Sequence, residues 1–124
     1  MNEKKPNIVK DKSFAFALRI IKLCKYLIEE KREFVLSKQL LRSGTSVGAL
    51  VRESEHAESK ADFIHKMAIA QKEANESEYW IELLFQSGYL EKKQYHSISD
   101  DVNELLKIIS SIILTAKGKN YGKK

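Results

Sequence analysis

Leu40-Leu41-Arg42-Ser43-Gly44-Thr45-Ser46-Val47-Gly48-Ala49-Leu50-Val51 is the stretch on which the fold turns. Read as a loop, it breaks the second helix around a ligand-binding turn. Read as helix, its two glycines cost about 1 kcal/mol each relative to Ala. The apolar period favours the helix. Val35, Leu36, Leu40, Ser43, Val47 and Val51 stay in phase across both glycines, which carries the helix on to about Ala57. Gly44-x-x-x-Gly48 then forms a face that a neighbour can approach closely, and Ala70, Ala74 and Ser77 offer a matching strip of small residues.

The same periodicity extends outward on both sides. Phe14, Ala17, Ile21, Cys24 and Ile28 step by three and four, with Leu18 and Leu27 widening the stripe, which predicts a helix from about Asp11 to Arg32. Ser59-Lys60-Ala61-Asp62 resembles a capping box and opens a third helix through Phe63, Met67, Ala70, Ala74, Ser77, Ile81 and Leu84, closed by Gly88. Tyr95, Ile98, Val102, Leu105, Ile109, Ile112 and Ala116 mark a fourth, closed by Gly118. Four long helices with short links predict an all-α, antiparallel up-down four-helix bundle over residues 12–117, between a basic N-terminal tail (1–11) and a basic C-terminal tail (118–124).

Composition narrows the class. The 124 residues include 43% hydrophobic and 31% charged side chains, too much core material for a disordered chain. One Cys excludes an intramolecular disulfide framework, and the opening MNEKKPNIVK has no apolar signal core, so a soluble cytoplasmic domain is expected. The net charge of +5 is unevenly placed. Residues 1–12 carry +2 and residues 117–124 carry +4; residues 13–52 carry +5, residues 53–91 carry −6, and residues 92–116 balance.

Catalytic chemistry finds little support. Glu53-x-x-His56 and Asp62-x-x-His65 have the spacing that carboxylate-bridged metal bundles use, since residues three apart share a helix face. A metal- or small-molecule-binding bundle enzyme built on these four residues is therefore the alternative reading. Both pairs flank one turn at the end of the bundle, however, and Glu29, Glu30 and Glu104 lie beside the apolar stripes rather than on them. Cys24 sits on the core stripe, where a thiol behaves as a small hydrophobe. Gly44 and Gly48 are not followed by Lys and Ser or Thr, so no phosphate-cradling loop exists. No catalytic, cofactor or metal site is assigned, and the chain is expected not to be an enzyme. Lys12, Arg19, Lys22 and Lys25 of the first helix and Lys38 and Arg42 of the second are the candidate contacts for an RNA or DNA backbone.

Three signatures are more specific: Arg42-Ser43-Gly44-Thr45-Ser46-Val47-Gly48-Ala49, then Asp62-Phe63-Ile64-His65-Lys66, then Lys72-Glu73-Ala74-Asn75-Glu76-Ser77-Glu78-Tyr79-Trp80. With these, the chain resembles the bacterial four-helix-bundle family first noticed as open reading frames within 23S ribosomal RNA intervening sequences. Leu50 stands where many members have Asn or another polar residue. The resemblance implies a homopentamer. A related branch, the accessory protein of diversity-generating retroelements, associates with a reverse transcriptase and with nucleic acid. The expected function is accordingly a non-enzymatic oligomeric scaffold for nucleic acid or a nucleic-acid enzyme.

Arg42, Glu73 and Glu76 fall within the signature stretches and are expected to form structural ion pairs, because Arg suits carboxylate contacts. Ile108, Ile112, Ile113 and Leu114 spread apolar surface around more than half of the fourth helix, wider than one core stripe needs. They are the expected oligomer interface. The basic and acidic halves of the chain favour a closed ring, in which unlike patches meet at every interface. No membrane contact is expected.

Overall fold

The computed structural model describes residues 7–118, and among these there are four helices and no strand. They are α1 (Ile8–Glu29), α2 (Leu36–Ser54), α3 (Lys60–Gln86) and α4 (Lys92–Ala116). α1 packs on α2, α2 on α3 and α3 on α4, whereas α1 and α4 touch far less and α1 and α3 lie diagonally apart. The result is an up-down-up-down bundle with one open seam. An open cleft of about 650 Å³ lies in that seam between Ile8 and Val9 of α1 and Ile108 and Ile112 of α4.

Local chemistry sets the helix ends. Asn7 caps α1 by accepting the Lys10 N–H at 3.1 Å, and its amide donates to Glu55 at the far end of α2. Residues 8–11 therefore belong to the bundle rather than to the expected N-terminal tail. The Ser59 hydroxyl accepts the Asp62 N–H at 3.0 Å, and the Asp62 carboxylate accepts the Glu58 N–H, so the cap reaches one residue further back than a standard box. Gln94 closes the start of α4 on the Glu91 N–H at 2.8 Å. Gly88 and Gly118 follow α3 and α4 with φ of +90° and +80°, the left-handed conformation that glycine adopts without cost.

The core is continuous through all four helices. Phe16, Ile20 and Leu27, then Leu40, Val47 and Val51, then Met67, Ile81 and Leu84, and finally Val102, Leu105 and Ile109 are almost fully buried. α1 departs from expectation in its phase. Its inward stripe is Val9, Ser13, Phe16, Ile20, Cys24 and Leu27, whereas Phe14, Leu18, Ile21 and Ile28 of the expected stripe are exposed. The heptad-like series Phe14, Leu18, Ile21, Ile28 is broken by Lys25 at its fourth position, and the series that turned inward carries no charge.

α2 is continuous through both glycines, but the helix that approaches them is α1, not the small-residue strip of α3. A Cβ at Gly44 would lie 2.9 Å from Cγ1 and Cγ2 of Ile20, and one at Gly48 would lie 3.4 Å from the Ser13 carbonyl oxygen. The α2–α3 seam closes differently: the Ser43 and Ser77 hydroxyls meet at 2.9 Å, both fully buried.

Candidate functional site

Two of the networks that bridge helices account for half of the candidate basic residues. Arg19 reaches across the open seam to Asp101 at 2.5 Å and to the Ser97 hydroxyl at 2.9 Å. Lys12 pairs with Glu104 at 3.2 Å on the same seam. On the other side of the bundle Arg42 donates to Glu73 at 3.2 Å and to Glu76, whose second partner is the Trp80 indole N–H at 3.2 Å. Burial alone would raise the Glu76 carboxyl, yet the Arg42 and Trp80 hydrogen bonds hold it below the ordinary range. Lys12, Arg19 and Arg42 thus act as ties between helices. Lys22, Lys25 and Lys38 are exposed and enter no ion pair among the described residues.

Those three lysines border a row of exposed hydrophobic side chains. Phe14, Leu18, Ile21 and Ile28 of α1, each between 39% and 52% exposed, run along the α2 side of the helix, and Leu41 of α2 joins them. Phe14 to Ile28 spans about 20 Å at 1.5 Å per residue. Arg52 lies over the Phe14 ring, 5.2 Å from its centroid, a cation–π contact that orients the guanidinium along the same face. Arg52 is not among the basic residues that the sequence singles out.

α4 carries no comparable surplus. Ile113 is 8% exposed and part of the chain's own core, Ile108 and Ile112 pack against that core, and Leu114 is half-buried. Ile108 and Ile112 also line the open cleft with Ile8 and Val9, so part of the α4 apolar arc faces that seam. The exposed apolar face lies on α1 instead.

The four residues of the metal reading do not converge. Glu53, His56 and His65 are exposed around the α2–α3 turn, and Asp62 is engaged by the Glu58 N–H and by Lys66 at 3.3 Å. Its carboxyl is held below the ordinary range by the Glu58 hydrogen bond first and Lys66 second. Among the described residues no three His, Cys, Asp or Glu side chains come together as a metal site would require.

One buried carboxylate escaped the sequence reading altogether. Glu33, 7% exposed, accepts the N–H groups of Val35, Leu36 and Ser37 at 3.2, 2.8 and 2.7 Å, and so replaces the missing side-chain cap of α2. Burial pushes its carboxyl up, but the three backbone donors outweigh that and hold it below the ordinary value. Nearby Cys24 donates to the Ser37 carbonyl at 3.3 Å, and burial, with Glu33 beside it, pushes the thiol up to about 12. A thiol so protonated is a poor nucleophile.

Among the described residues no helix is long and apolar enough to cross a membrane. No curated protein matches the chain. A solved protein of unknown function from the S23 ribosomal protein family of Bacteroides thetaiotaomicron is 58% identical, covering 85% of this chain and 97% of its own, with a TM-score of 0.84. The family model described as 23S rRNA-intervening sequence protein matches residues 5–111. The chain belongs to that family.

Proposed function

We propose that this protein is a non-enzymatic, cyclic homo-oligomeric scaffold that holds nucleic-acid backbone through its lysine-rich ends. The number of copies implied by the family resemblance is five, and a reverse transcriptase is the kind of nucleic-acid enzyme such a scaffold would serve. The observation that carries the reading is the exposed face of Phe14, Leu18, Ile21, Ile28 and Leu41. An exposed apolar strip of this length on a small domain is ordinarily covered by another chain. Its lysine border belongs to that contact, and Lys12, Arg19 and Arg42 are already held by carboxylates. Phosphate binding therefore falls to residues 1–6 and 117–124, which bring +1 and +4 per copy and multiply with the number of copies.

The test is binding of labelled single-stranded RNA and DNA across a salt series, with the full chain and with a variant carrying Gln at Lys4, Lys5, Lys119, Lys123 and Lys124. The reading expects weak, sequence-tolerant binding to the wild type that falls steeply with salt. The variant should bind less and with a flatter slope. Equal, salt-insensitive binding by both proteins would reject it.

A further inference from the structure

Nine large hydrophobic side chains are exposed among the described residues, and eight of them lie between Ile8 and Leu41. The ninth is Tyr79, alone on the outward side of α3 and 56% exposed. Its ring is positioned by the residue next to it. Trp80 meets it edge-on, with centroids 5.1 Å apart, and Trp80 is itself anchored through its indole N–H to Glu76. A positioned aromatic ring with an exposed face gives large contact area for little loss of side-chain freedom, which is the character of an interface anchor.

The charges around the two apolar features are opposite. Glu82 stands one helical turn from Tyr79 and Glu78 precedes it in sequence, and neither is ion-paired among the described residues. Lys22, Lys25 and Lys38 border the α1–α2 face and are equally without carboxylate partners there. α1 and α3 stand diagonally across the bundle, so one copy can use both surfaces at once. A two-fold pairing of the α1–α2 face with its own copy would bring the lysines together and leave Tyr79 in water.

We propose that the α1–α2 face is covered by a second copy of this chain through α3, with Tyr79 seated against Leu18, Ile21 and Leu41, and with Glu78 and Glu82 meeting the three lysines. The contact is head-to-tail, and repetition of it generates a ring. This rests on the oligomeric reading above and adds which surface meets which.

Mixing two full-length variants tests it. Leu18→Asp disables the receiving face and leaves Tyr79 intact; Tyr79→Asp does the reverse. Both positions are exposed, and thermal melts by circular dichroism check that each variant folds, with Leu18→Ser and Tyr79→Ser in reserve should an Asp variant melt early. The expected result by light scattering is a large species for the wild type, the single-chain mass for each variant alone, and twice that mass for the equimolar mixture, which restores one good interface per pair. A Tyr79→Asp protein that assembles like the wild type overturns this inference while leaving the scaffold reading standing. So does a mixture of folded variants that stays at the single-chain mass. A monomeric wild type overturns both.

Discussion

Gly44→Ala and Gly48→Ala are chemically the same change four residues apart on one helix, yet the structure predicts opposite outcomes. Each replaces a helical glycine by the best helix former and gains about 1 kcal/mol of propensity. At Gly48 the new methyl meets the Ser13 carbonyl oxygen at 3.4 Å, ordinary contact, so most of that gain should survive. At Gly44 the methyl arrives 2.9 Å from two carbons of Ile20 and 3.3 Å from its Cβ. Ile20 is fully buried and branched at Cβ, so the contacted atoms cannot swing aside, and α1 must shift as a body. Overpacking of this kind costs about 1–3 kcal/mol. Gly44→Ala should therefore be less stable than wild type by up to about 2 kcal/mol, and Gly48→Ala equal or more stable by up to about 1 kcal/mol. Urea unfolding followed by helical circular dichroism, at one fixed protein concentration because assembly adds to apparent stability, gives both numbers. Ile20→Ala supplies the cross-check. It costs about 2–5 kcal/mol in the wild type and should cost less beside Gly44→Ala, because it removes both clashing carbons. Gly44→Ala matching or exceeding Gly48→Ala in stability would refute the close α1–α2 approach.

Three other perturbations probe separate parts of the structure. Glu33 has a lowered folded-state pKa, so its contribution is present above the ordinary carboxylate range and lost as pH falls through the folded value; Glu33→Gln should be less stable by about 1–3 kcal/mol at neutral pH, with the gap closing below about pH 4. A gap that stays constant from neutral to acid would contradict the cap. Arg32 holds φ of 55°, a conformation costing about 1 kcal/mol for a residue with a Cβ. Arg32→Gly should raise the urea midpoint, offset in part by loss of the Arg32–Phe34 stacking contact, and a lowered midpoint would count against it. Ile113→Asp puts a carboxylate into the core and should unfold the chain, whereas Leu18→Asp should leave the melt of the single subunit within about 1 kcal/mol of its parent. A folded Ile113→Asp protein that merely dissociates would return the interface to α4.

Where one residue type dominated a helix face, the sequence was legible. Met67, Ala70, Ala74, Ile81 and Leu84 form a single apolar stripe on α3, and all five are buried as their spacing requires. α1 was ambiguous because Phe14, Leu18, Ile21 and Ile28 form a second stripe beside Phe16, Ile20, Cys24 and Leu27, and period alone does not say which turns inward. Lys25, interrupting the outer stripe, was the available signal. The wide apolar arc of α4 suits a helix that borders an open seam, where Ile108 and Ile112 line the cleft. Arg42, Glu73 and Glu76 lie together as the signature stretches suggested. Glu33 gave no such cue. It sits ahead of α2, two residues before Val35, and its role depends on how the α1–α2 turn folds it back over the helix start.

The α1 face explains the exposed hydrophobes only if copies of the chain cover it in solution. Light scattering on the untagged full chain across micromolar concentrations measures this directly. The expected result is a closed species well above two chains, at five times the 14.3 kDa chain mass if the family resemblance sets the number, with little dissociation at high salt because apolar burial carries the contact. A 14.3 kDa particle, or a simple dimer that grows no further, would contradict it.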